Sequence, residues 1–161
     1  MKNDYIKNLE YLGFATRLKR ISDALIHDGR RLYKELNMDI EPNWYLIFNL
    51  LETEKELSVT DISDILQFSH PSVITITNKM EKAGYLISRK SATDNRKRVL
   101  RLSDKATKEH EKFAPVWEAA TQGITEALEG LDALNFLDRL EDRLQTKDFK
   151  QRAMESLNRN V

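Results

Sequence analysis

The sequence predicts a mainly α-helical chain carrying one small β-hairpin. Three observations carry that expectation. Only five glycines and three prolines punctuate the 161 residues, so long uninterrupted helices are allowed. Apolar residues recur at spacings of three and four through most of the chain, the period of a helix buried along one face. Between residues 85 and 102 the period becomes that of a strand, in two pieces separated by a polar, turn-prone stretch.

Taken in order, Tyr11, Phe14, Leu18, Ile21 and Leu25 form one seam, continued by Leu32 and Leu36, along a predicted helix of about thirty residues. Gly29 stands where that seam would have another large residue, so a bend or a close helix approach is expected there. Pro42 fits the first turn of a second helix with Trp44, Ile47, Phe48 and Leu51 on one face. Leu57-Ser58-Val59 reads as a short extended pairing segment. Thr60 is the candidate N-cap of a short helix in which Ile62, Ile65 and Leu66 point one way. After Gln67-Phe68, Ser69 can cap a further helix. Pro71 is tolerated in its first turn, where the missing amide would go unpaired anyway. Val73, Ile76 and Met80 give this helix its buried edge, and Ser72, Thr75, Asn78 and Lys79 form a polar face opposite. Gly84 ends it. Residues 85–89 and 98–102 are the two strands. Helix, short helix, polar-faced helix and hairpin, in that order, make a winged helix-turn-helix.

The remainder is helical again. Ala106, His110, Phe113, Trp117, Ala120, Ile124 and Ala127 alternate steps of four and three, a heptad seam. Pro115 is expected to kink this helix near residues 111–115. Gly130 stops it, Asp132 can cap the next, and Leu137, Leu140 and Leu144 form the following stripe. Phe149, Met154 and Leu157 lie beyond an interruption at Thr146-Lys147-Asp148. The expected organisation is an N-terminal dimerisation helix over 1–40, a winged helix-turn-helix region over 41–103 and C-terminal dimerisation helices over 104–161. Within the middle region the recognition helix covers about 69–83 and the wing about 85–103. The terminal seams exceed what a small winged core covers, and a two-fold dimer is the commonest way to bury such stripes.

Charge is balanced overall, 26 basic against 26 acidic residues, but segregated. From Lys79 to Lys105 nine basic residues face three acids, a local excess of +6 that the rest of the chain offsets. Such asymmetry marks one face for a polyanion. The absence of cysteine excludes disulfides, thiolate catalysis and thiol redox sensing. No apolar run reaches a membrane span and no signal-like stretch opens the sequence. We therefore expect a soluble, cytoplasmic chain without membrane association.

Ser69, His70, Ser72, Thr75, Asn78 and Lys79 present donors and acceptors of the kind that read base edges. Along the wing, Lys90, Asp94, Asn95, Arg96, Lys97, Arg98 and Arg101 complete the candidate interface. Arg96 at the hairpin tip suits a narrow minor groove. Asp94 would orient it, and Lys90, Lys97, Arg98 and Arg101 are assigned to phosphates, which hold without reading.

These features resemble the MarR family of transcriptional regulators over roughly residues 10–145. The most specific piece is the wing, where Asp94-Asn95-Arg96 leads into Val99-Leu100-Arg101-Leu102-Ser103. Thr60-Asp61-Ile62-Ser63-Asp64-Ile65-Leu66 and Met80-Glu81-Lys82-Ala83-Gly84-Tyr85-Leu86 fall at the family's spacing without a gap. The chain departs from the pattern in four places. Ser103 stands for the usual Thr, Ala106 for a frequent Gly and Thr75 for a frequent Arg, and Ser91-Ala92 lacks the common acidic-Pro start of the turn. The resemblance implies a homodimer placing one recognition helix per subunit in successive major grooves of a palindromic operator, with the wings in flanking minor grooves. It further implies a repressor modulated by a small aromatic or anionic effector bound between the dimer helices and the winged core. Arg17, His27, Trp44, His110 and Trp117 are then the candidate lining of that pocket.

His27, His70 and His110 share no metal-ligand spacing. No nucleophile elbow, ordered triad or phosphate loop occurs. Neither catalysis, a metal nor a cofactor is expected. The competing expectation is a winged-helix module that binds a protein partner and not DNA. Such a module has no need of a polar recognition face, a basic wing and a tip arginine together.

Overall fold

A computed structural model describes residues 4–90 and 98–159. The described elements are α1 (Tyr5–Asn8), α2 (Phe14–Glu35), α3 (Trp44–Glu54), β1 (Leu57–Ser58), α4 (Val59–Leu66), α5 (His70–Lys82), β2 (Leu86–Lys90), β3 (Arg98–Leu102), α6 (Asp104–Ala127), α7 (Ala133–Thr146) and α8 (Phe149–Arg159). The chain forms two compact units, residues 1–113 and 114–161. The division falls inside α6, beside Pro115. A proline there has no amide to donate to the preceding turn.

The first unit holds a mainly helical core with a three-stranded antiparallel sheet in the order β1-β3-β2. Leu57 pairs with Leu100, while Leu86 pairs with Leu102 and Lys90 with Arg98, so the hairpin is in register from base to arms. Its core gathers Ile47, Phe48 and Leu51 from α3, Ile62 from α4, Val73 and Met80 from α5, Tyr85 and Leu100 from the wing, and Phe113 from α6, all essentially inaccessible. Four aromatic rings tie these elements together. Tyr85 meets Trp44 at 5.8 Å, Phe48 at 5.4 Å and Phe113 at 5.9 Å between centroids. Edge-on packing at these separations adds stability beyond area burial.

Several boundaries differ from expectation. The first seam does not run in one helix: Tyr11 lies in the turn between α1 and α2 and is almost fully exposed. Gly13 makes the reversal, because a Cβ there would sit 2.4 Å from the Ile6 carbonyl oxygen. Pro42 precedes α3 instead of opening it; the Trp44 amide donates to the Glu41 carbonyl at 3.0 Å. Its ring instead fits against Gly29, where a Cβ would come 3.1 Å from Pro42 Cγ, so the missing side chain is a close approach. Ser58, not Thr60, caps α4. Its hydroxyl accepts from the Asp61 amide at 3.2 Å while Asp61 accepts from the Ser58 amide at 2.9 Å, a reciprocal capping box.

In the second unit, Gly130 (φ 73°) follows the end of α6 and Asp132 stands at the N-cap of α7. Asp132 takes the Asn135 side-chain amide at 2.6 Å in place of a backbone N–H. The interruption at 146–148 separates α7 from α8, with Lys147 extended. Asp148 and Gln151 then cap α8 reciprocally, at 2.8 and 3.2 Å. No residue of α7 or α8 is buried among those described.

Candidate nucleic-acid interface

The polar-faced helix α5 begins where the sequence places it. Ser69 has extended backbone and its hydroxyl accepts from the Ser72 amide at 3.4 Å, with Pro71 in the first turn. The turn from α4 is closed by Gln67 in the left-handed region and by the Ser63 hydroxyl donating to the Phe68 carbonyl at 2.6 Å. These bonds set the angle between the two helices. The C-terminus is a Schellman motif: Gly84 (φ 81°) donates to Glu81 and Tyr85 to Met80, both at 2.9 Å.

Val73, Ile76, Thr77 and Met80 face the core. Thr77, not foreseen as a core residue, satisfies its hydroxyl on the Val73 carbonyl at 2.9 Å. Ser69, His70, Ser72, Thr75, Asn78 and Lys79 are all exposed. Ser69 and Ser72 share a hydroxyl contact at 2.7 Å, and His70 Nε2 lies 3.5 Å from Thr60 on α4. Thr75 donates its hydroxyl to the Pro71 carbonyl at 2.8 Å, which leaves it acceptor lone pairs and a methyl to offer outward. Ile74 is also exposed on this helix. Polarity alone overlooked it, yet an apolar group is what a thymine methyl selects.

In the wing the cations divide. Arg98 Nη2 donates to both Glu81 carboxylate oxygens, at 2.8 and 3.1 Å, and its Nε to Ser88. It therefore fastens the hairpin to α5. Arg89 is paired with Glu56, through Nε at 3.0 Å and Nη2. Lys90 and Arg101 are exposed and make no side-chain ion pair among the described residues. Asp94, Asn95, Arg96 and Lys97 lie outside the described residues.

The candidate effector residues are distributed over both units. Trp44 is buried in the core, Arg17 and His27 are exposed on α2, and Trp117 belongs to the second unit. His110 lies 3.2 Å from Glu52 and lines an open groove of about 600 Å³ with Leu51, Arg89, Arg101 and Leu102. No cluster of three metal-ligating side chains occurs among the described residues. Nor is any described helix long and apolar enough to cross a membrane.

Residues 38–97, a segment that includes α3, β1, α4, α5 and β2, match the MarR family model. That segment is similar to a MarR-family winged helix. Comparison with curated proteins gives no match. Among solved structures, the Staphylococcus aureus MepR–DNA complex has a TM-score of 0.67 at 18% identity, covering 83% of this chain and 97% of that one. The organohalide-sensing regulator RdhR in its 2,4-dichlorophenol-bound form gives 0.71 at 16%, covering 91% and 87%. A mutant Escherichia coli MarR complexed with operator DNA gives 0.65 at 14%, covering 88% and 99%. At these identities the likeness is one of fold. The MarR-family match falls on α3, β1, α4, α5 and β2, the segment that builds the polar face and the start of the wing.

Proposed function

We propose that the chain is a DNA-binding transcriptional regulator acting as a homodimer on a palindromic operator. Each subunit presents α5 to a major groove and its wing to the adjoining minor groove. The carrying observation is α5 itself: one side is locked into the core by Val73, Ile76 and Met80, and the other offers Thr75, Asn78 and Lys79 to solvent beside a basic wing. A surface helix with that polarity and that charge environment fits the major groove, where each base pair has its own donor and acceptor pattern. MepR and the E. coli protein, solved with DNA, support the same docking for this fold. We read the regulator as a repressor whose affinity is set by a small aromatic or anionic effector, a reading supported by the dichlorophenol-bound relative.

Selection of bound sequences from random duplex DNA tests this directly. The expected product is a palindrome with half-sites about 10 base pairs apart. Thr75→Ala and Asn78→Ala should change the preferred base at particular positions, each contact being worth about 1–3 kcal/mol. Failure to enrich any motif would favour the protein-binding module instead.

A further inference from the structure

Beneath the C-terminal end of α5, three distant parts of the chain meet in one charged cluster. Asp39, in the connection between α2 and α3, accepts two hydrogen bonds. The Tyr85 hydroxyl donates to one carboxylate oxygen, and the Lys105 ammonium donates to the other at 2.9 Å. The same ammonium donates to the Ala83 carbonyl at 2.9 Å and stands 3.9 Å from the centroid of the Tyr85 ring. Ala83 is the C-cap of α5. One lysine and one aspartate thus join the approach to α3, the end of α5, the root of the wing and the first turn of α6.

Each contact has a reason. The last carbonyls of a helix have no intrahelical donor and carry its negative pole, so a cation there is stabilising. The Tyr85 ring is fully buried, and a hydroxyl at the edge of a core needs an acceptor. Asp39 serves both donors at once, and charge-assisted bonds of this kind are stronger than neutral ones. The cluster acts on the turn that closes α5, about one helical turn beyond Asn78 and Lys79.

We propose that Asp39 and Lys105 are positioning residues for DNA binding, a latch that holds the end of α5 at the angle from which its polar face meets a duplex. The proposal rests on the DNA-binding reading above. Asp39 cannot serve as a phosphate contact, because its charge has the wrong sign. That sign gives the test its edge. Near a polyanion site, loss of a negative charge by itself strengthens binding. Loss of the latch weakens it, because less of the population holds α5 in the competent pose.

The experiment measures affinity of the full chain and its variants for the duplex that the wild type selects, across a series of salt concentrations. Amide hydrogen exchange is read in parallel. We expect Asp39→Asn to weaken binding about fivefold with the salt slope unchanged. Lys105→Met should do the same, whereas loss of a phosphate-contacting lysine flattens the slope by about 0.9. Lys105→Arg, which keeps the cation, should restore most of the affinity. The Gly84 and Tyr85 amides, which close the Schellman turn, should exchange faster in the two disabled variants. Should Asp39→Asn fail to fold, Tyr85→Phe removes one donor while leaving the ring and the carboxylate, and a smaller loss in the same direction is expected. Binding by Asp39→Asn that equals or exceeds the wild type, with exchange unaltered, overturns the latch and leaves the DNA reading standing. A wild type that selects no duplex overturns both.

Discussion

Tyr85 shows how one side chain links packing to protonation. Burial, reinforced by the hydrogen bond to Asp39 and by its negative charge, pushes the phenol well above its ordinary value of 10. The folded state therefore holds this proton more tightly than the unfolded chain does. Its contribution to stability is complete below pH 10 and is lost as pH rises beyond it toward the folded value. Asp39 runs the other way. Burial raises its pKa, but the bonds from Tyr85 and Lys105 outweigh that and hold the carboxyl below its usual 3.8. Its contribution is present above 3.8 and fades as pH falls below it. Chemical denaturation of wild type and Tyr85→Phe between pH 8 and about 11 checks the first sign. The wild type should lose more stability over that range than the variant; parallel curves would contradict the assignment.

At the scale of elements, α5 and the wing behave as one piece because Arg98 grips Glu81 across their junction. Neighbouring wing cations should then fail in different ways. Arg101→Ala should weaken binding to all duplexes alike and flatten the salt dependence by about 0.9, the signature of one lost phosphate contact. Arg98→Met should weaken binding while leaving that slope unchanged, and Glu81→Gln should reproduce the defect although it removes a negative charge. Fluorescence anisotropy titrations at several salt concentrations separate these outcomes. Equal slope changes for both arginines would mean that Arg98 leaves Glu81 for phosphate in the complex.

For the whole molecule, the apolar surface points to assembly. Ile21 and Leu25 on α2 and Leu134 on α7 are each at least half exposed. In a lone chain such stripes stay in water, and burial of each large aliphatic side chain is worth about 1.5–3 kcal/mol. We expect a homodimer at micromolar concentration. Leu140→Asp or Leu144→Asp should shift it toward monomer, because a carboxylate would be buried without a partner. Light scattering reads this directly; a wild-type mass near the monomer value of 18.8 kDa would refute it.

Features written in neighbouring residues were legible from the chain alone. Ser69 with Pro71, Gly84 after Ala83, and the presence of two strands near 85–89 and 98–102 follow from caps, turns and alternation, whose physics is complete within a few residues, whereas the pairing register comes from the fold. The polar face of α5 was legible for the same reason, since its period is set by the helix itself. Where remote pairing intervenes, the local reading fails. Thr60 lies inside α4, and Ser58 caps it instead: β1 pairs with β3 through Ser58, whose extended backbone precedes the helix and whose amide and hydroxyl bond Asp61 reciprocally. Gly13 broke the first seam through a close approach to the Ile6 carbonyl, which no periodicity reveals. Arg98 and Arg101 look alike in sequence, yet only the packing of the hairpin against α5 brings one of them to Glu81. Asp39 and Lys105 stand 66 residues apart. Amphipathic faces and most helix ends are properties of short segments, so the sequence determines them directly; the pairing of Asp39 with Lys105 at the end of α5 exists only once the core has closed and brought remote residues within bonding distance.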